Sequence, residues 1–335
     1  MSSIIKLKGN GVSRILKSKV MLSPLAGVTD KIFRKLVRRW APDSLLFTEM
    51  INASTLKLGY GTQKINLLQL EEGPIGVQIF DNRPFSVSYA AKKAEDSGAF
   101  LIDINMGCPV KKIAKKGGGS ALIKDRLLAV ELVKRVSKAV QVPVTVKTRL
   151  GWNNKHENIE DFLLRLQDAG ATMITLHGRT RKEGFSGKAD WDMIGKIKEL
   201  LEIPIIANGD INNPEDALNC LKKTKADGLM IGRAVLGSPW KIGEIDYAIK
   251  ELKGFREPNI EEKLILIIEH IDELIKEKGN HGLLLARKHI SWTCRNFPGA
   301  TNLRNNLVRA VDLKEIKELI NETISTLNYD KKILL

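Results

Sequence analysis

The chain has 335 residues, 43% hydrophobic and 28% charged, which is room for a large packed core plus a smaller domain and excludes a disordered or fibrous protein. With 54 Lys and Arg against 39 Asp and Glu, the net charge of +15 favours a polyanionic partner without fixing fold or site. Three scattered cysteines without a CxxC pair argue against a disulfide framework or zinc site, and no leader or ~18-residue apolar span is evident, so a cytoplasmic location without membrane contact is expected.

Past the N-terminal segment, strand-length apolar runs stand at Val20–Leu22, Leu45–Thr48, Ile75–Phe80, Leu101–Asn105, Val144–Lys147, Met173–His177, Ile205–Asn208 and Gly228–Ile231. Helical patterns such as Pro84–Ser97, Lys124–Val140, Ile159–Ala169 and Trp191–Leu201 lie between them, whereas Asn52–Leu70 has weak periodicity. Eight buried-type strands alternating with helices predict an α/β fold, a closed (β/α)8 TIM barrel. A doubly wound sheet would call for a nucleotide fingerprint, and neither GxGxxG nor GxxxxGK[ST] occurs. Near Phe255–Pro258 the rhythm stops, and Ile260–Lys278, His281–Thr293 and Leu313–Leu327 read as helices. The expected division is a catalytic barrel over residues 1–250 and a helical domain over 251–335.

The strand ends carry the chemistry, because barrel active sites form at the C-terminal ends of the strands. Pro24, Leu25, Ala26 and Gly27 follow the first run, Glu49 the second, Gln78 lies in the third and Asn105 closes the fourth. Lys147 ends the fifth, His177 the sixth, Asn208, Gly209 and Asp210 the seventh, and Gly232 and Arg233 the eighth. The last two groups stand where barrels often bind phosphate. Ala26 and Gly27 offer a flat wall for a planar ring, Gln78 can pair with an imide edge, and Lys147 can hold negative charge on a reduced flavin or an enolate. His177 opens a polar loop, Gly178–Arg181, which favours a ligand-facing role over a structural one. Together these describe a flavin mononucleotide (FMN) pocket.

Cys108 follows the fourth strand, ahead of Lys111, Lys112, Lys115, Lys116 and a run of three glycines, in a loop expected to be free to move. A free cysteine is often only a small half-buried residue. Opposite a flavin it reads as a proton donor, with the nearby lysines tending to lower its pKa. In the helical part, Arg287, Lys288, Arg295, Arg304 and Arg309 crowd together, which reads equally as a phosphate-binding face or as an ordinary solvated one. No spacing suits a metal.

The chain resembles the tRNA-dihydrouridine synthases. The likeness rests on Ser23–Asp30, Asn105–Pro109, Gly119–Leu122, Val146–Trp152, His177–Arg181, Gly187–Trp191, Ala207–Asp210, Ile231–Arg233, Arg287–Trp292 and Pro298–Ala300, in the expected order. Among bacterial types it is most similar to the B-type subfamily, although Ser23 and Leu25 replace the usual Ala and Met, and Phe185 a tyrosine. The resemblance implies an FMN enzyme that reduces the C5–C6 bond of tRNA uridines with NADPH or NADH. Cys108 would protonate C5 while C6 receives hydride, and Asn105 would help hold the uracil. Pro24 to Ala26, Gln78, Lys147, His177, Asn208 to Asp210, Gly232 and Arg233 would bind FMN. Arg179 and Arg287 would contact the tRNA, and the Lys111–Gly119 loop would close over the flipped base. Two other readings stay open from the residues: a small-molecule pyrimidine or enoate reductase, or a non-catalytic RNA-binding protein. The oligomeric state is not fixed, with a monomer favoured.

Overall fold

The computed structural model describes residues 4–66, 68–153 and 158–333. Residues 1–3 and 334–335, at the ends of the two expected domains, and Leu67, in the weakly periodic stretch, lie outside the described residues. Strands β1 (Ile5–Leu7) and β2 (Arg14–Leu16) pair antiparallel as a hairpin. A parallel sheet follows, made of β3 (Val20–Leu22), β4 (Leu45–Phe47), β5 (Ile51–Asn52), β6 (Ile75–Phe80), β7 (Leu101–Asn105), β8 (Val144–Arg149), β9 (Ile174–His177), β10 (Ile205–Asn208) and β11 (Gly228–Ile231). It closes because β11 pairs with β3, β3 with β4 and β4 with β6. The short β5 pairs with the far end of β6, so β4 and β5 are one barrel strand interrupted at residues 48–50. The result is a closed barrel of eight parallel positions, as expected.

The connecting helices are α1 (Lys31–Arg38), α2 (Ala53–Lys57), α3 (Pro84–Asp96), α4 (Lys111–Ala114), α5 (Arg126–Ala139), α6 (Ile159–Asp168), α7 (Trp191–Leu200), α8 (Pro214–Thr224) and α9 (Lys241–Ile249). Several begin where the sequence places a cap. Asp125 accepts from the Leu128 amide at α5, and Asn213 from the Asp216 amide at α8 with Pro214 in the first turn. Each strand points alternate residues to opposite faces. One set, including Val77, Ile79, Ile102, Ile104 and Val146, packs outward against the helices. The other set fills the barrel. Met21, Leu45, Phe47, Leu101, Met173, Ile206 and Met230 form its floor with Ile5, Leu7 and Leu16, so the β1–β2 hairpin plugs the N-terminal end. Farther along, the inward positions become polar: Gln78, Asp103, Thr145 and Thr175, then Asn105, Lys147, His177 and Asn208. A dry floor under a polar mouth follows from the strand pattern alone.

Beyond α9 come α10 (Ile260–Lys278), α11 (Asn280–Thr293), α12 (Ala300–Leu307) and α13 (Leu313–Ile333). Asn259 and Glu262 form a reciprocal capping box at the start of α10. The four helices share their own apolar cluster, including Leu264, Ile271, Leu283, Ile290, Leu303 and Ile316, into which α1 inserts Ile32. No helix among the described residues is long and apolar enough to cross a membrane.

Candidate active site

All eight barrel positions contribute to a cleft of about 430 Å³ at the C-terminal ends of the strands. Pro24, Leu25, Ala26, Gln78, Asn105, Cys108, Lys147, His177, Asn208, Gly209, Asp210, Gly232 and Arg233 all line it. Arg179 and Arg287 do not, nor do Gly27 and Glu49. Arg287 is exposed on α11, away from the cleft lining. Arg179, expected at the RNA, is only 1% exposed. Its guanidinium is spent on both Asp210 carboxylate oxygens at 2.8 and 2.6 Å and on the carbonyls of Ser186 and Gly187 at 2.9 and 2.6 Å. An enclosed arginine must be paired in this way, so Arg179 braces the loop over Asp210 and presents no exposed donor face to a large polyanion.

The polar groups are joined in chains. Asp103 accepts from Gln78 Nε2 at 2.7 Å and Thr145 Oγ1 at 2.6 Å. Gln78 Oε1 accepts from Asn105 Nδ2 at 2.7 Å, and Asn105 Oδ1 accepts from the amides of Gly107 and Cys108 at 3.1 and 2.9 Å. Across the mouth, Asn208 Nδ2 donates to the Met230 carbonyl at 2.7 Å and its Oδ1 accepts from Lys147 Nζ at 2.9 Å. Asp210 also takes the Arg233 guanidinium at 3.2 Å and the Ala189 amide at 2.7 Å. Arg149 donates to the carbonyls of Gly107 at 2.8 Å, Thr180 at 3.1 Å and Gly184 at 2.9 Å, tying the Cys108 turn to the loop after β9.

Two glycines give this packing its room. At Gly209, with φ +116°, a Cβ would lie 2.8 Å from the His177 ring. At Gly119, with φ +58°, it would lie 3.2 Å from Cys108 Cβ. Both sites need glycine for conformation and for space.

Burial governs the protonation states. It pushes the Cys108 thiol up from its ordinary value, against the opposing pull of the Val110 amide, Arg149 and Lys147. The expectation that the following lysines would favour thiolate is therefore corrected: Lys111, Lys112, Lys115 and Lys116 are exposed, and the opposing charges come from β8. Nor is the segment a featureless loop, since Lys111–Ala114 forms the one-turn α4 and Gly119–Ile123 a 3-10 turn. Burial, aided by the Arg149 charge, lowers Lys147 to about 8. His177 is held far below its ordinary value by burial and by Arg149, Lys147, Arg179 and Arg233, so its ring is neutral. Asp103 is raised to about 6 by burial, opposed by its two donors and by Lys147.

Gly27, expected in the ring wall, is not in the cleft lining: its amide donates to Glu49 and its carbonyl accepts from Lys288. Leu25, Ala26 and Val28 supply that wall.

The dihydrouridine synthase family model matches residues 21–328, from the first barrel strand to the last helix. The chain belongs to the dihydrouridine synthase family. A protein of Synechocystis sp. named probable tRNA-dihydrouridine synthase 1 is 49% identical over 94% of this chain and 88% of its own length. The tRNA-dihydrouridine synthase B of Pseudomonas aeruginosa is 37% identical over 89% of this chain and 90% of its own. Among solved structures, histamine dehydrogenase from Rhizobium sp. 4-9 superposes with a TM-score of 0.55 at 13% identity, covering 80% of this chain and 50% of that one. Morphinone reductase gives 0.51 at 13% identity, covering 76% and 92%. At such identities these structures share the fold and no more.

For this member of the dihydrouridine synthase family, the sequence reading missed several cleft residues. Arg149 lies two residues past Lys147 on β8, facing the same way, and the alternation that exposes Lys147 to the mouth also signals Arg149. Met50 comes from the interruption of the second barrel strand, and Trp292 from α11. Phe185 packs against His177 with ring centroids 6.3 Å apart and lies under the guanidinium groups of Arg149 at 5.6 Å and Arg233 at 5.2 Å. Residues brought in by loops and a distant helix leave no periodic signal at the cleft.

Proposed function

We propose that this enzyme of the dihydrouridine synthase family is an FMN-dependent tRNA-dihydrouridine synthase that reduces the C5–C6 bond of tRNA uridines with NADPH or NADH. The observation that carries the reading is the Cys108 thiol sharing one barrel-mouth cleft with Lys147 and His177, where burial pushes the thiol up and the imidazole down and so favours the neutral form of each.

The residues suit FMN on three counts. Among the described residues, Lys147 donates only to Asn208, which leaves two of its three N–H groups for a ligand. At Gly232 a Cβ would meet nothing nearer than Ser23 Cβ at 3.9 Å, so the wall there is open for a group to lie close to the backbone. Arg233, half-exposed beside it, offers charge to a phosphate. Lys147 and His177 would then contact the ring, Pro24 to Ala26 and Gln78 would enclose it, and Asn208 to Asp210, Gly232 and Arg233 would hold the phosphate end. Bound FMN supplies the hydride that C6 of the uracil receives.

Cys108 gives its proton to C5 and is left as thiolate. Lys147 and Arg149, the two cations that already pull on the thiol, stabilise that anion until solvent returns the proton. Asn105 keeps the Cys108 turn in place through two amide hydrogen bonds and presents its remaining surface to the uracil. A uridine must leave its stack to enter a cleft of this size. The exposed lysines of α4 and the helical part, residues 251–335 with Arg287, grip the surrounding tRNA backbone, while residues 1–250 do the chemistry. The enzyme works in the cytoplasm in this reading.

Cys108→Ala tests it. Purified variant protein is expected to stay yellow with bound FMN while dihydrouridine formation on unmodified tRNA drops by about 10²-fold or more, the scale of a lost general acid. Loss of the flavin, or unimpaired dihydrouridine formation, would refute the acid role.

A further inference from the structure

We infer that Asp103, which touches neither the cleft nor the thiol, sets the direction of the hydrogen-bond chain that aims the Cys108 turn, and is a positioning residue of this site. The inference deepens the reading above and rests on it for the reaction, but not for the geometry.

The argument starts from what each group is able to do. An ionised carboxylate only accepts hydrogen bonds, whereas a side-chain amide has one accepting and one donating end that exchange when it flips. Asp103 is completely buried, and each of its oxygens meets a donor, Gln78 Nε2 at 2.7 Å and Thr145 Oγ1 at 2.6 Å. The carboxylate therefore fixes the Gln78 amide with its NH2 inward. Gln78 Oε1 must then face outward, where it takes Asn105 Nδ2 at 2.7 Å. That in turn leaves Asn105 Oδ1 as the only end able to receive the Gly107 and Cys108 amides, at 3.1 and 2.9 Å. Flipping Gln78 would set a carbonyl against the carboxylate and two NH2 groups against each other. Reversing Asn105 would confront two backbone donors with a third. The acceptor-only group at the inner end thus fixes the Gln78 amide, and through it supports the Asn105 orientation that the two backbone donors also require.

Its location makes the same point. Two residues earlier on β7 the inward position is Leu101, which packs in the dry floor at no electrostatic cost. A carboxylate at 103 loses its hydration on burial, a cost that must be offset by pairing. Among the described residues, the cation that acts on it is Lys147, at the mouth above. Such a cost serves no purpose in a passive filler; here it provides a fixed polarity.

The test reads Cys108 directly. Cys220 and Cys294 are both fully buried, so alkylation of the native holoprotein by iodoacetamide reports on Cys108. Asp103→Leu removes the acceptor while keeping the volume. The alkylation rate is expected to change by about fivefold or more. Flavin reoxidation by tRNA in a single turnover should fall about 10²-fold, the scale of a displacement near 1 Å, while tRNA affinity stays the same. Asp103→Asn can keep an oxygen toward Gln78 and turn its NH2 to the Thr145 hydroxyl, so it should rescue most of both losses. A folded Asp103→Leu protein that alkylates at the parent rate would overturn the inference, and so would an Asp103→Asn protein as impaired as the leucine variant. If Asp103→Leu does not fold, Gln78→Met cuts the same chain one link later: the same change in alkylation supports the inference and an unchanged rate refutes it. Because alkylation needs no tRNA, failure of the catalytic reading stays distinguishable from failure of this one.

Discussion

Lys147 and Asp103 point into the same barrel interior, and burial moves them in opposite directions, the lysine down to about 8 and the carboxyl up to about 6. Near neutral pH both are still mainly charged, and each moderates the other's shift. The Asp103 shift has a measurable sign. An unfolded chain releases this proton near pH 4, so the folded state holds it more tightly. The resulting stabilisation is fully present below about pH 4 and is lost as the pH rises through about 6. Asp103→Asn does not titrate. Its stability relative to the parent should therefore rise by up to about 3 kcal/mol between about pH 4 and 6 and then level off, as read by urea melts across that range. A constant difference would show that the carboxyl does not carry the shift. At this scale most of the cleft was legible in the sequence, because polar residues ending apolar runs stand out. Asp103 did not stand out, since it sits inside such a run, and an isolated acid there looks like an interruption of the pattern. Arg179 misled for the converse reason: it lies in a polar loop, yet the loop folds back over Asp210 and encloses it.

Among the elements, β8 carries most of the electrostatics, presenting Lys147 to the cleft and using Arg149 as a strap between two loops. Arg149 is 3% exposed and serves three carbonyls from a planar fork, a geometry that a lysine ammonium cannot match. Arg149→Lys should leave at least one buried carbonyl unpaired, at a cost of about 1–3 kcal/mol. The expected result is a lower melting temperature with faster proteolysis confined to residues 180–187. An unchanged melting temperature would mean that water or the lysine replaces the lost bonds. The eight barrel strands were readable because parallel strands buried on both faces appear as unbroken apolar runs. Helices α10 and α11 were readable to within a residue or so from their periodicity. The β1–β2 hairpin was not, because three-residue strands with one exposed side chain are too short to show a period. Helix α12, eight residues of which three are Asn, was lost because it too is short.

On the scale of the molecule, the barrel is closed at one end and open at the other. Leu7 and Leu16 of the hairpin are almost fully buried against Met21, Phe47 and Met230. Leu7→Ala should cost about 2–5 kcal/mol, as expected for a large-to-small change in a close-packed core. Its effect belongs mainly in the melting temperature, since Leu7 packs in the floor and does not itself line the cleft at the other end of the strands. A variant that melts like the parent but turns over more slowly would contradict that separation. The basic charge spread over the exterior gives the molecule its long-range attraction for polyanions, which fades with salt. Trp292 has a different kind of consequence. It reaches the cleft from α11, after every barrel strand has been made, and its ring meets His289 at 5.3 Å. A ribosome therefore finishes the whole barrel, thiol included, before the last piece of the pocket wall leaves the exit tunnel. Until then the newborn chain holds a barrel-mouth hollow that lacks one of its lining side chains, so the barrel strands can close before the pocket wall is complete.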